Sequence, residues 1–283
     1  MTITVEPLSE ACGAEIKGVD LSKELTPEAV RAIEDAFHEH VVVVFRGQDL
    51  SEDDQKRFAN HFGGLGERKQ SPNGSTPGGS YDTPFMLVTN MRDEKGEALR
   101  AFGDGEMWFH HDTSYYEAPH KATLLYAVTL PDWGGNTCFS NMYKAYDNLP
   151  EDLKQRLEGR KILQIHDYKR RERIDIYNSD ISGMLQYEQP LFVTHPATGR
   201  KALYISRLMS ARIEGLEAEE NEEILNRLFD ISEDPAIVFE HEWQLGDLVM
   251  WDNYASIHMR RDFPRDQPRM MRRLTLQGYG PLH

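Results

Sequence analysis

Five consecutive residues, Val41-Val42-Val43-Val44-Phe45, narrow what this chain can become more than any other stretch. β-Branched side chains lose rotamer freedom in a helix and fit a pleated surface. An apolar run with no polar residue at alternate positions reads as a strand buried on both faces.

Helix signals flank it. Thr26 is a candidate N-cap with Pro27 behind it, and apolar residues recur at Val30, Ile33, Ala36 and Phe37. Ser51 and Asp54 have capping-box spacing, opening a second helix through Phe58 and Ala59 to Phe62. A third is expected from Pro150 to Glu158, stopped by Gly159, and a fourth over Ala218 to Phe229. Strand patterns cover Ala122 to Val128, Ala202 to Ile205, Ala236 to Trp243, Asp247 to Trp251 and Arg273 to Tyr279. The Gly-, Ser- and Pro-rich stretch Gly63 to Thr83 reads as a long loop, and Pro131-Asp132-Trp133-Gly134-Gly135 as a turn. Many short strands with a few helices predict a mainly β fold with flanking helices, a β-sandwich or jelly roll. The regular strand–helix alternation of a doubly wound fold is missing from the second half. Nothing marks an internal boundary, so one domain is expected over residues 1–283.

Charge removes several function classes. Thirty-two basic against 47 acidic residues give a net charge of −15, which disfavours gripping nucleic acid or an anionic membrane. The longest apolar runs, Val41 to Phe45 and Leu124 to Val128, are too short to span a bilayer. Cys12 and Cys138 alone make neither a disulfide framework nor a cysteine-type zinc site. Met1 to Gly13 lacks a basic segment followed by an apolar one, so a cytoplasmic location is expected.

Chemistry concentrates in Glu106-Met107-Trp108-Phe109-His110-His111-Asp112. If the stretch is extended, His110 and Asp112 share a face and His111 points away. An imidazole and a carboxylate so placed are two members of the 2-His-1-carboxylate triad, which holds iron(II) on one side and leaves the other open. His258 leads for the third ligand, because distant strands meet side by side in a jelly roll. His120, His166, His195 and His241 compete with it. Arg260, Arg261, Arg265, Arg269, Arg272 and Arg273 follow, a cationic cluster in an acidic chain. Arg260 to Arg265 read as a surface pairing with the acidic excess. Arg272 and Arg273 must face opposite sides of their strand, so only one points inward, and a buried arginine demands a partner.

In order along the chain come Gly13-Ala14-Glu15-Ile16-Lys17-Gly18-Val19-Asp20-Leu21, Val44-Phe45-Arg46-Gly47-Gln48, Phe62-Gly63 and His110-x-Asp112-x-Ser114-Tyr115. Then follow Pro131-x-x-Gly134-Gly135-x-Thr137, Thr194-His195-Pro196-x-Thr198-Gly199-Arg200, Trp251-Asp252-Asn253 and the distal His258. Over nearly its whole length the chain resembles the iron(II)- and 2-oxoglutarate-dependent dioxygenases of the taurine dioxygenase and 2,4-dichlorophenoxyacetate dioxygenase group. The resemblance implies a double-stranded β-helix (jelly roll), with Fe(II), 2-oxoglutarate as cosubstrate and O2. It makes His110, Asp112 and His258 the iron ligands. It sets Arg269 and the Thr137 hydroxyl on the far carboxylate of 2-oxoglutarate, and Arg273 between that cosubstrate and the substrate's acid group. The implied reaction hydroxylates a small organic acid, aryloxyalkanoate- or sulfonate-like, with succinate and CO2 as coproducts. Halogenases of the wider superfamily lack the carboxylate ligand, so Asp112 implies hydroxylation. A homodimer or homotetramer is implied by the same analogy.

The substrate side departs from taurine dioxygenase. Arg68 falls where that enzyme has a sulfonate-binding histidine, and Glu106 where relatives often have asparagine. Tyr168 and Met209 fall on its aromatic packing positions, and Phe109 replaces a tryptophan. Two other classes make different demands. A zinc hydrolase would need a general base, for which Glu106 is the only nearby candidate, and it leaves Arg269 and Thr137 without a role. A metal-free binding module predicts a neutral result for His258→Ala.

Overall fold

The computed structural model describes residues 3–67, 83–91, 107–166 and 173–283. Its first strands are β1 (Thr4–Pro7), β2 (Ala14–Lys17), β3 (Val42–Phe45), β4 (Met86–Thr89), β5 (Met107–His110) and β6 (Ala122–Thr129). Next come β7 (Thr137–Asn141), β8 (Lys161–His166), β9 (Leu185–Pro190), β10 (Phe192–Thr194), β11 (Lys201–Leu203) and β12 (Ser210–Ile213). The last four are β13 (Val238–His241), β14 (Leu248–Asp252), β15 (Ser256–Arg260) and β16 (Met270–Leu276). The helices are α1 (Pro27–His40), α2 (Glu52–Asn60), α3 (Met142–Asp147), α4 (Glu151–Leu157) and α5 (Ala218–Ser232).

Two sheets build the jelly roll. One has seven strands in the order β1-β2-β3-β14-β6-β16-β4, the other four in the order β13-β7-β15-β5. β3 explains its own composition. Val42 and Val44 enter the core shared with Phe139, Ile257 and Met259 of the smaller sheet. Val43 and Phe45 enter a second core with Ile33, Ala36 and Phe37 of α1 and with Phe58 and Ala59 of α2. A strand with a sheet on one side and helices on the other has no face for a polar residue. β14 and β6 alternate the same way: Val249, Trp251 and Leu125 face the smaller sheet, while Leu248, Met250 and Leu124 face the helices. Helices α3, α4 and α5 add Met142, Leu153, Leu157, Leu225 and Leu228 to the inter-sheet core.

The capping signals hold. Thr26 accepts from the Ala29 backbone, and Ser51 and Asp54 form the reciprocal box at the start of α2. Ser51→Ala is expected to cost about 1 kcal/mol of stability, read as a shifted denaturant midpoint at unchanged slope. An unshifted midpoint would mean that water replaces the cap.

Several boundaries differ from expectation. α2 stops at Asn60, short of Phe62. The Ala236 to Trp243 pattern opens as a 3-10 turn over Pro235–Ile237, capped by Asp234, before β13. Proline pre-sets the helical φ there and has no N–H for a ladder. β16 runs from Met270 to Leu276 rather than from Arg273 to Tyr279, because Met270 still pairs with Thr89 and Thr129. β5 ends at His110, so Asp112 lies beyond the strand and its approach to His110 is not a product of the pleat. The turn begins at Asp112, and Thr113 after it holds a left-handed φ of 58°. That is an uncommon conformation for a β-branched residue. Its hydroxyl accepts from the His120 backbone at 2.9 Å.

Candidate metal centre

β15 lies antiparallel between β7 and β5, and His258 pairs in register with His110. That pairing fixes two imidazoles side by side, with ring centroids 4.2 Å apart. Asp112 enters from the turn after β5, its Oδ1 4.0 Å from Nε2 of each histidine. One ligand atom from each of the three residues lies within 4.8 Å of the others.

The donor chemistry suits a divalent metal. Burial disfavours the charged form of both imidazoles, lowering His110 and taking His258 well below the usual histidine value. A neutral imidazole is the ligating form. His110 Nδ1 sits 3.0 Å from the Trp108 carbonyl, so it carries the hydrogen and leaves Nε2 to face the cluster. Burial works against the charge of Asp112, but the Arg273 guanidinium, the two neighbouring histidines and the Thr123 hydrogen bond together outweigh it and hold the carboxyl well below the ordinary range. Thr123 Oγ1 donates to Asp112 Oδ2 at 2.6 Å, and Arg273 contacts the same oxygen at 2.6 Å. The doubled histidine resolves as well: His111 is fully buried, stacked on Tyr204 and bonded through Nδ1 to the Asn253 carbonyl.

Arg269 precedes β16. Thr89 donates to its carbonyl and Asn90 accepts from its N–H, anchoring the backbone. Its side chain is buried, with Phe263 below and one long hydrogen bond, 3.3 Å, to the Gly135 carbonyl. Among the described residues Nε has no hydrogen-bond partner, and burial pulls the guanidinium pKa down. A cation so poorly compensated is a built receptor for an anion. Gly135 explains part of the Gly134-Gly135 motif: a Cβ there would stand 3.0 Å from Arg269 Nε. Thr137, two residues on, is buried and accepts from Trp243 Nε1 at 3.0 Å. Indole is a donor only, so the Thr137 hydroxyl hydrogen is left to donate elsewhere.

Arg272 and Arg273 do face opposite sides. Arg272 reaches Gln55 of α2 and the Leu50 carbonyl, while Arg273 reaches Asp112. Among the rival histidines, His195 pairs with Asp252 at 2.9 Å and His241 with Asp247 at 3.1 Å, both outside the cluster. His166 stacks on Tyr115. Met209 is buried with Tyr115 and Leu208, whose backbone N–H donates to the Phe109 carbonyl. Arg68, Glu106 and Tyr168 lie outside the described residues. Thr123 and Trp243 were not singled out by sequence. A lone threonine in the otherwise apolar Ala122-Thr123-Leu124-Leu125 was the available signal for the first.

The family model for taurine catabolism dioxygenases, TauD, TfdA family, matches residues 4–275. The chain belongs to that family. It is 33% identical to the alpha-ketoglutarate-dependent 2,4-dichlorophenoxyacetate dioxygenase of Cupriavidus pinatubonensis, over 97% of this chain and 98% of that protein. It is also 33% identical to pentalenolactone F synthase of Streptomyces avermitilis, over 97% of this chain and 94% of that protein. The crystal structure of AAD-2 in complex with Mn(II) and N-oxalylglycine superposes with a TM-score of 0.78 at 29% identity, covering both chains completely. The chain is accordingly an enzyme, a 2-oxoglutarate-dependent dioxygenase with the family's jelly roll.

Proposed function

We propose that His110, Asp112 and His258 hold iron(II), and that the enzyme hydroxylates a small organic acid, aryloxyalkanoate- or sulfonate-like. One observation carries the reading: two imidazoles and one carboxylate meet in a largely buried cluster, in a chain of this family. Iron(II) bound there, with 2-oxoglutarate and O2, supplies an oxidative decarboxylation that yields succinate and CO2 and hydroxylates the substrate.

The chain's own groups bind and orient. Asp112 balances one metal charge and keeps a second oxygen for Thr123 and Arg273. Arg269 takes the far carboxylate of 2-oxoglutarate as the partner its buried guanidinium lacks, and Thr137 adds a hydroxyl donor. Arg273, with Nε unpartnered and NH2 on Asp112, bridges the metal ligand and an incoming acid group. Arg68, Glu106, Tyr168 and Met209 complete the substrate side in this reading. The named 2,4-dichlorophenoxyacetate relative supports an aryloxyalkanoate. The same proposal takes residues 1–283 as one dioxygenase domain, cytoplasmic, with a homodimeric or homotetrameric assembly by family analogy. Both cysteines are free and buried, and among the described residues no helix is long and apolar enough to cross a membrane.

Anaerobic titration of metal-free protein with iron(II) and 2-oxoglutarate is expected to raise a weak visible charge-transfer band. His110→Ala is expected to abolish it. A wild-type protein that binds iron(II) without the band would sink the cosubstrate assignment.

A further inference from the structure

Two sequence motifs have no part in the reading above, Thr194-His195-Pro196 and Trp251-Asp252-Asn253. The structure joins them. His195 Nδ1 accepts from the backbone N–H groups of Ala197 and Thr198, so the ring hydrogen is on Nε2, which meets Asp252 Oδ2 at 2.9 Å. Asp252 Oδ1 accepts from the N–H groups of Tyr254 and Ala255. These bonds lock the turn between β14 and β15 and leave Asn253 fully buried at its tip.

Asn253 is tied through its backbone N–H, its backbone carbonyl and its side-chain nitrogen, while its Oδ1 has no partner among the described residues. Its N–H donates to the Lys121 carbonyl, and its own carbonyl faces His111 Nδ1 at 3.0 Å. Its side-chain Nδ2 donates to Thr123 Oγ1 at 3.0 Å. Thr123, also fully buried, donates to Asp112 Oδ2 at 2.6 Å. The polarity of this chain of bonds is forced. An ionised carboxylate only accepts, so the single Thr123 hydrogen goes to Asp112. Thr123 can then only accept from Asn253, which fixes the amide with nitrogen toward it.

We propose that Thr123 and Asn253 are positioning residues that set which oxygen of Asp112 faces the metal. Thr123 and Arg273 both occupy Oδ2. Oδ1 is left at 4.0 Å from each histidine Nε2 and serves as a one-oxygen ligand. The carboxylate cannot swing to offer both oxygens without disturbing the Thr123 hydrogen bond and the Arg273 ion pair. A metal held there would keep the position that the second carboxylate oxygen would otherwise take. Asn253 acts only through Thr123, holding its hydroxyl in the donating orientation. This inference rests on Asp112 being a metal ligand.

Mn(II) binding to the full-length protein tests it, with free Mn(II) followed by its electron paramagnetic resonance signal. Thr123→Val keeps the shape and removes the donor, and is expected to weaken Mn(II) affinity by roughly 10- to 100-fold. Thr123→Ser restores the hydroxyl and is expected to return affinity to within about threefold of wild type. Asn253→Ala is expected to cost less than Thr123→Val, and to add nothing in the double variant, because it works through the same hydrogen. Wild-type Mn(II) affinity in Thr123→Val would overturn the proposal, as would a Ser variant as weak as the Val variant. Should metal-free Thr123→Val melt far below wild type, Asn253→Ala carries the test, and unchanged affinity there overturns it. His258→Ala separates the two levels. If it binds Mn(II) as wild type does, the metal-site reading fails; if it loses Mn(II) while Thr123→Val does not, only the positioning role fails.

Discussion

Arg269→Met is expected to raise the KM for 2-oxoglutarate by about 100-fold or more while leaving Mn(II) binding intact. Truncating one partner of a buried charge pair costs roughly 2–5 kcal/mol, and each 1.4 kcal/mol is a factor of ten. Methionine keeps the apolar length of the side chain and discards the charge. The same variant is expected to melt no lower than wild type in the absence of cosubstrate. Among the described residues the Arg269 side chain makes one long hydrogen bond, and its burial opposes its charge. A gain in resting stability with a loss of ligand affinity is the mark of a residue kept for binding. Succinate release against 2-oxoglutarate concentration reads the first effect and a thermal melt the second. A KM within about threefold of wild type would remove Arg269 from the cosubstrate site.

The second large effect is on the fold. Asp252→Ala is expected to destabilise the protein by about 3–5 kcal/mol, because it strands His195 Nε2 and the N–H groups of Tyr254 and Ala255 in the interior. At roughly 2–4 °C per kcal/mol for a chain of this size, the melting temperature should fall by about 10 °C. A fall under about 3 °C would mean that the turn holds without the carboxylate, and that the His195 motif has another purpose.

How much of this was legible beforehand varies with the physics of each element. α1 and α2 could be read from their first turns, because a cap is a local contract between a side chain and backbone groups three residues away. β3 was legible because two-sided burial leaves no polar position. β7, Thr-Cys-Phe-Ser-Asn, was not, since its identity comes from lying between β13 and β15 rather than from its own propensities. α3 was missed although Asn141 caps it through the Tyr143 and Lys144 N–H groups, because its six residues are too few to show a period. The residues of the His110–Asp112–His258 cluster were singled out by type, by spacing and, for His258, by the family resemblance, but for an incomplete reason. Two-residue periodicity brings His110 and Asp112 near each other only in a strand, and here a left-handed Thr113 follows the carboxylate. Thr123 and Trp243 could not be placed, because what they touch lies far away in the sequence.

β3 carries a consequence for the way the chain reaches its native state. Its hydrogen-bonding neighbour on one side is β14, and the adjoining Arg46–Asp247 contact spans 201 residues of sequence. Arg272 of β16 reaches Gln55 across 217. The central ladder is therefore made of non-local contacts, which close late because a long loop of chain must first be gathered. Until β14 emerges from the ribosome, Val41 to Phe45 is an uncharged, proline-free β-former with one edge unpaired. Such a segment is a template for self-association. Soluble yield in a recombinant host should thus depend on synthesis rate and temperature far more than the mature protein's acidic, well-covered surface would indicate.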